Sequence, residues 1–493
     1  MKYQNPVLRG FYPDPSVCAA NGKYYMVCST FQYFPGVPVF ESDDLINWKQ
    51  VGNCLTRKSQ VDLEKCGSSA GVFAATIRFS NGRFYMVTTN TSANKNFYVW
   101  TDNIYGEWSD PVYVDRDGID PSLYFENGRT FFISNGTDDF GESGIVQCEI
   151  DIGTGKKLSS AKVIWKGSGG RYLESPHLYK IGNYYYLMAA EGGTEYGHMI
   201  TYARSSDIWG EYVGYEKNPV LTNRNLGGYV IQGVGHGDLI QDKYGDWHIM
   251  HLGFRQSGQW SPYHHLGRES FLSPVTFDEN GWFTAGSNGV TVEEFETKGD
   301  FSQQRKNLYT FDNTAWKFDW CYLRHPSCEN YELCDDRAVL RGTDITLDEA
   351  DSPTFIGIRQ IDFDAVISVD VSVTGGIGGI SLYMDENHHY DLYAKQTENG
   401  LTAVEKLNIG DIKSVEHTAE LSSDKVRLIV KADNFNYHFY ISENKGDEIY
   451  LGSAQTRYLS TEVASGFTGV VIGLFAVGDG CKAEFTNFKC EYK

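Results

Sequence analysis

Positive charge is scarce in this 493-residue sequence: 43 Lys and Arg stand against 64 Asp and Glu, a net charge of −21. Such a field repels phosphate backbones and anionic lipid surfaces, so neither nucleic acid nor a membrane is expected as a partner. No apolar run approaches the ~18 residues that a membrane-spanning helix needs. The ten cysteines contain no C-x-x-C pair, which removes support for structural zinc. The opening residues, MKYQNPVLRG, show neither an apolar signal core nor a cleavage motif. Without a secretion signal, reduced and buried thiols are expected, and with them a cytoplasmic location. Helical periodicity is nearly absent, so the class expected is all-β.

Aromatic residues and glycine are abundant instead, with 33 Tyr, 28 Phe, 10 Trp and 52 Gly. This mixture suits tight-turned β-structure and aromatic-lined sugar sites; a β-rich core alone would account for it equally well. One pattern recurs five times before residue 290. CAANGKYYMVCST, RFSNGRFYMVTTN, YFENGRTFFISNG, LYKIGNYYYLMAAE and IQDKYGDWHIMHLG each join a short apolar strand to an aromatic strand through a turn glycine, at Gly22, Gly82, Gly128, Gly182 and Gly245. A second element follows several copies: SDDLINW, TDNIYGEW and SSDIWGEY. Spacings of 60, 46, 54 and 63 residues suit four-stranded blades plus loops, which predicts a five-bladed β-propeller over residues 1–296, closed with help from the chain start. Beyond, in 297–493, the repeat vanishes. Longer alternating strands such as AVISVDVSV, KVRLIVKA and FNYHFYISE predict a C-terminal β-sandwich.

Counting back eight residues from each turn glycine gives Asp14, Ala74, Asp120, Glu174 and Gly237, with His236 beside the last. Innermost propeller strands begin near the central channel, so these positions should converge. Counted instead from each strand's first apolar residue, Glu174 sits one place further out. Asp-Pro is also an ordinary turn dipeptide, and any single copy reads as structure. Three carboxylates gathered on one axis are harder to dismiss, because burying them together is costly unless they stay wet or do chemistry. With no nucleotide loop, nucleophile set or Cys/His cluster, the chemistry they suit is glycoside hydrolysis, in which one carboxyl stays neutral and another ionised.

At these residues the chain resembles glycoside hydrolase family 43, in its β-xylosidase and α-L-arabinofuranosidase members that carry an added C-terminal sandwich of the jelly-roll, concanavalin-like kind. NPVLRGFYPDPSV looks like the family's opening, with Asp14 as general base; GIDPSLYFENG places Asp120 as the residue that tunes and orients the acid while staying charged; YLESPHLYK places Glu174 as general acid. The resemblance further implies His236 (GVGHGDLIQD) in the channel, sometimes beside a calcium ion reached through waters, Arg268 (HLGRES) and Thr194 (EGGTEYGH) on the sugar, and inversion at the anomeric carbon. GVFAATIRF departs from the Trp-Ala-Pro of many relatives, leaving Phe73 as the apolar platform. Phe31 and Phe34 are wall candidates that could equally be packing, and Phe467 of the sandwich is a further one whose plainer reading is domain core.

The function expected is an exo-acting, inverting glycosidase releasing L-arabinofuranose or D-xylose from oligosaccharides, with no cofactor required beyond a possible channel calcium. An endo-arabinanase and a non-catalytic carbohydrate-binding propeller are the alternatives. A homo-oligomer built through the sandwich is a leaning.

Overall fold

Each of the five repeats folds into one four-stranded antiparallel sheet. The computed structural model describes residues 1–493 apart from Asn399 and Lys445. The blades start at strands Ser16–Ala20, Thr76–Ser80, Ser122–Glu126, Glu174–Ile181 and Ile231–Gln241, and each is completed by the next three strands along the chain, except that the first blade skips the short strand Tyr33–Phe34. Three of the inner hairpins turn on Asn-Gly with both residues at positive φ (Asn21 52°, Gly22 80°; Asn81 51°, Gly82 80°; Asn127 50°, Gly128 75°). That geometry matches the right-handed twist of the strands, and Asn and Gly adopt it most cheaply.

Blades stack face to face, so their middle strands are buried on both sides, as Arg83–Asn90 and Tyr184–Glu191 show. This explains why the aromatic strands read as nearly continuous apolar runs. A separate apolar core lies between each adjacent pair of blades. Tyr25, Ile77 and Met86 fill the first gap, and Met26, Phe40, Met250 and Leu272 fill the closing one. The recurrent Ser/Thr-Asp/Asn segments are side-chain-capped turns. Ser42 Oγ accepts from Leu45 N at 2.9 Å, and Asp44 Oδ1 accepts from Ile46 N at 2.9 Å. They drop Leu45, Ile104 and Ile208 into the gaps between blades.

No blade mixes strands from the two ends of the repeat region. The ring is closed instead by the chain start: Leu8 bridges Ser270 in the fifth blade, and Lys2–Gln4 pairs with Glu294–Glu296. Tyr3 is buried in the closing core, its hydroxyl donating to Leu272 O at 3.0 Å.

After Glu294–Glu296 the next strand is Leu308–Thr310, which already belongs to the sandwich. The sandwich packs two sheets around one large core containing Ile367, Val430, Phe439, Leu474 and Phe485. One of its sheets borrows a strand from the propeller, because Tyr33–Phe34 of the first blade pairs with Cys321–Leu323. Phe34 therefore does not reach the site; its ring packs against His325 at 5.0 Å between centroids. Two ionic clusters seal the joint. Asp362 of the sandwich takes Arg9 at 2.8 Å and Arg255 at 2.9 Å, and fully buried Arg324 donates to Cys66 O, to Asp351 O and to Glu386. No helix is long and apolar enough to cross a membrane among the described residues.

Candidate active site

The innermost strands surround a channel, and at one end of it lies a cavity of about 430 Å³. Asp14, Asp120 and Glu174 all line it, with Ala74 at the corresponding place in the second blade and His236 from the fifth. Local backbone geometry aims each side chain. Asp14 and Asp120 both stand two residues ahead of their strands with left-handed φ of 53° and 52°. Glu174 opens its strand at a β-bulge next to Ser175 (φ 55°), which is the physical origin of its one-place offset in sequence. His236 (φ 47°) sits at a second irregularity, inside Ile231–Gln241. Non-glycine residues in this region of φ are costly, and such strain gathers at functional sites.

The three acids sit in different fields. Asp14 is buried, and burial pushes its carboxyl up, but Arg268, His236 and a hydrogen bond from Ser29 outweigh that and hold it below its usual value. Arg268 Nη1 donates to Asp14 Oδ1 at 2.8 Å, and Ser29 Oγ donates to Oδ2 at 2.6 Å. Glu174 is pushed up to about 7, by burial first and then by the Asp14 charge. Asp120 is also pushed up to about 7, by burial and by Glu174 and Asp14, with His236 pulling the other way. The resemblance had implied a charged Asp120. In this pocket Asp120 and Glu174 compete for a proton.

His198 bears on which of the two holds it. Its Nδ1 lies 3.3 Å from Gly233 O and is therefore the protonated nitrogen, leaving the Nε2 lone pair facing Glu174 Oε1 at 3.7 Å. Burial, reinforced by Arg268, keeps this imidazole neutral, with its pKa lowered to about 4. A lone pair facing a carboxyl favours the protonated acid over the carboxylate.

Apolar walls complete the pocket. Phe31, Phe73 and Phe467 form a three-ring cluster: Phe31 stacks on Phe467 at 5.8 Å, and Phe73 meets Phe31 at 5.3 Å and Phe467 at 5.9 Å, both edge-on. Phe467, a wall candidate from the sequence whose plainer reading was domain core, is thus part of the pocket. The Arg268 guanidinium lies 5.7 Å from the Phe31 and Phe467 rings and donates to Thr194 Oγ1 at 2.8 Å. Apart from Phe34, every residue assigned to the site from the sequence lines this one cavity. Tyr172 and Glu195 line it as well and were missed, as were His198 and Ser29 behind the wall. Tyr172, Glu195 and His198 stand inside or beside the motifs RYLESP and EGGTEYGH, but a linear motif does not say which side chains face a cavity.

A calcium ion beside His236 takes six to eight oxygen ligands. His236 Nδ1 lies 3.7 Å from Asp14 Oδ1 and 4.0 Å from Asp120 Oδ2, and both oxygens of Asp14 are already engaged by Arg268 and Ser29. No group of three or more His, Cys, Asp or Glu with metal-holding geometry occurs among the described residues. Buried positive charge comes instead from Arg78, which grips Asp238 at 2.8 and 3.1 Å and donates to His177 Nδ1 at 2.8 Å. These side chains by themselves do not supply the oxygen ligands that calcium takes.

A propeller that gathers one firmly ionised carboxylate and two carboxyls competing for a proton in an aromatic-walled pocket defines a glycoside hydrolase. Residues 3–283 match the model of glycosyl hydrolases family 43, and residues 309–491 match that of the β-xylosidase C-terminal concanavalin A-like domain. The chain belongs to glycosyl hydrolase family 43. It is 38% identical to the non-reducing end α-L-arabinofuranosidase BoGH43B of Bacteroides ovatus, over 97% of this chain and 92% of that protein. It is 36% identical to a β-xylosidase of Bacillus subtilis over the whole of both chains. A solved Bacteroides ovatus structure, the xyloglucan-locus GH43B, superposes with a TM-score of 0.92 at 35% identity and full coverage of both chains.

Proposed function

We propose that the protein is an exo-acting, inverting pentosidase that removes single L-arabinofuranose or D-xylose units from arabino- and xylo-oligosaccharides. The observation that carries this reading is the wall formed by Phe467. The sandwich brings Phe467 against Phe31 and Phe73 at the pocket wall, an arrangement that suits a site taking a chain end better than the through-running cleft of an endo-arabinanase. In this reading Asp14, ionised and held by Arg268 and Ser29, takes a proton from water as it attacks the anomeric carbon. Glu174, kept neutral by burial and by the His198 lone pair, gives its proton to the glycosidic oxygen. Asp120 raises the acid's proton affinity and, once sugar and His236 close around it, bears the negative charge of the pair. Thr194 and Arg268 hold hydroxyls, and the three phenylalanines pack the sugar's apolar face.

The same proposal includes metal-independent turnover, since Arg78 already supplies the channel's positive charge. It also includes a reducing, cytoplasmic setting, consistent with ten free thiols among the described residues, eight of them buried. Arabinose and xylose present similar hydroxyl patterns, and a pocket separates such shapes by only about 1–3 kcal/mol. Dual activity is therefore expected. The test is an assay with 4-nitrophenyl α-L-arabinofuranoside and 4-nitrophenyl β-D-xyloside in the presence of EDTA, following the first-formed anomer by proton NMR. Turnover of at least one substrate, with the inverted anomer appearing first, is the expected result. Turnover of neither would leave a carbohydrate-binding propeller, and oligomers released from linear arabinan would mean endo action.

A further inference from the structure

Beside the acid, a glycine-rich segment, GSGGRYL at residues 167–173, is fastened far more tightly than its composition requires. Glu191 is fully buried, and no Lys, Arg or His pairs with it among the described residues. Its carboxylate instead accepts from Ser168 N at 2.7 Å, Ser168 Oγ at 2.9 Å, Thr201 Oγ1 at 2.7 Å and Gly170 N at 2.5 Å. A buried carboxylate satisfied only by neutral donors is an expensive way to hold a loop. Gly170 lies so close that a Cβ there would come within 2.6 Å of Glu191 Oε2, so the segment is shaped around this carboxylate. Further along, Arg171 and Gly192 exchange hydrogen bonds (Gly192 N to Arg171 O at 2.7 Å, Arg171 Nε to Gly192 O at 3.1 Å), and Asn135 Nδ2 donates to Leu173 O.

The fastened segment presents Tyr172 to the pocket mouth. Its ring lines the cavity two residues before Glu174, yet it is 63% exposed and carries a left-handed φ of 53°. A bulky residue in that conformation and so exposed has no packing reason to be there. The ring is positioned all the same. It lies over Gly193, where a Cβ would meet its Cδ2 at 2.9 Å, and the Arg171 guanidinium stands 5.2 Å from its centroid. Arg171 is in turn paired with Glu195, so the rim around the ring carries no net charge.

We infer that this segment binds the departing half of the substrate: Tyr172 is the platform on which the leaving-group sugar stacks, and Glu191 is the buried positioning residue that holds platform and acid in register. The inference rests on the glycosidase reading above. The oxygen that Glu174 protonates lies against that carboxyl, so the ring bonded to its far side emerges past Tyr172. A neutral glycosyl unit suits the place, with its C–H face on the aromatic ring and its hydroxyls toward the Arg171–Glu195 pair.

The test compares two substrates of whichever sugar the wild-type enzyme accepts: the disaccharide, and the glycosyl fluoride of the same anomeric configuration. In the fluoride the C–F bond breaks as water attacks, and fluoride departs with no second ring to bind and no need of a proton from the acid. Y172A is expected to lower the ratio of kcat/KM for disaccharide over fluoride about five- to tenfold, chiefly through KM, and Y172F to restore it. E191Q, which sets an amide NH2 against one of the two backbone donors (Ser168 N or Gly170 N), is expected to lower the same ratio through kcat, because the fluoride alone tolerates a displaced acid. A ratio unmoved by Y172A, or a Y172F enzyme as deficient as Y172A, overturns the platform; equal loss on both substrates in E191Q overturns the positioning role. Should the wild-type enzyme hydrolyse neither substrate, the glycosidase reading itself fails and this inference with it; turnover of both with unmoved ratios defeats the inference alone.

Discussion

At the scale of single residues, the protein's chemistry lies in the difference between two carboxyls, Asp14 held below its usual range and Glu174 raised to about 7. Activity should therefore fall above about pH 7 as the Glu174–Asp120 pair gives up its proton, while Asp14 stays ionised down through mildly acidic pH. The sign for stability follows the same shifts. Carboxyls raised in the folded state contribute stability that is complete below their ordinary values and is lost as pH rises through about 7; Asp14, lowered, contributes stability that disappears as pH falls through its depressed value. Arg268→Met removes the cation that offsets the burial of Asp14. Its kcat should drop on the order of 10²–10³-fold, and the acid limb of the kcat/KM profile should move to higher pH, as a pH–rate series would show. An acid limb that stays in place would mean that Arg268 serves only the sugar. The three acids were legible because each sits at a set distance from a turn glycine. His198 and Tyr172 were not, since the sign of an imidazole's influence and the exposure of a ring depend on neighbours such as Gly233 and Gly193 from other segments of the chain.

At the scale of elements, the Asn-Gly hairpins and aromatic strands were readable because turn chemistry and period-two patterning are local properties. The bulge at Glu174 was visible only as a slipped count, because a bulge is defined by what the partner strand does. Ring closure was anticipated in outline, but its form was not: the chain start clamps an already complete fifth blade rather than lending it a strand. Tyr3 is the anchor of that clamp, 1% exposed and bonded to Leu272 O. Tyr3→Ala should cost about 3–5 kcal/mol, read as a lower urea midpoint at unchanged m-value. A loss under about 1 kcal/mol would show that the ring holds without its latch.

At the scale of the whole molecule, the sandwich is part of the enzyme's pocket. It supplies Phe467, takes a strand from the first blade, and is pinned to the propeller by Asp362 between Arg9 and Arg255. Burial raises the Asp362 carboxyl, but Arg255, the Phe363 N–H and Arg9 together hold it below its ordinary value. The joint should thus be intact above the ordinary aspartate range and weaken as pH falls through the depressed value. Asp362→Ala leaves two arginines facing each other in a partly buried seam. It should destabilise the protein by about 3–5 kcal/mol and raise KM as Phe467 loses its setting, which calorimetry and steady-state kinetics on the same preparation would register together. A lower melting temperature with KM unchanged would separate the joint from the pocket.

By itself the sequence determined the five blades, the second β-domain and the meeting of Asp14, Asp120 and Glu174 on one axis. Hairpin turns, strand alternation and repeat spacing act over a few residues and need no knowledge of the remainder of the chain. Only the tertiary structure decided that Asp14 is held ionised while Asp120 and Glu174 are both raised, that Phe467 walls the pocket and that Tyr172 stands at its mouth. Desolvation, the reach of Arg268 to Asp14 and the docking of the sandwich are set by groups some 200 residues or more apart in sequence, and their distances exist only once the ring has closed.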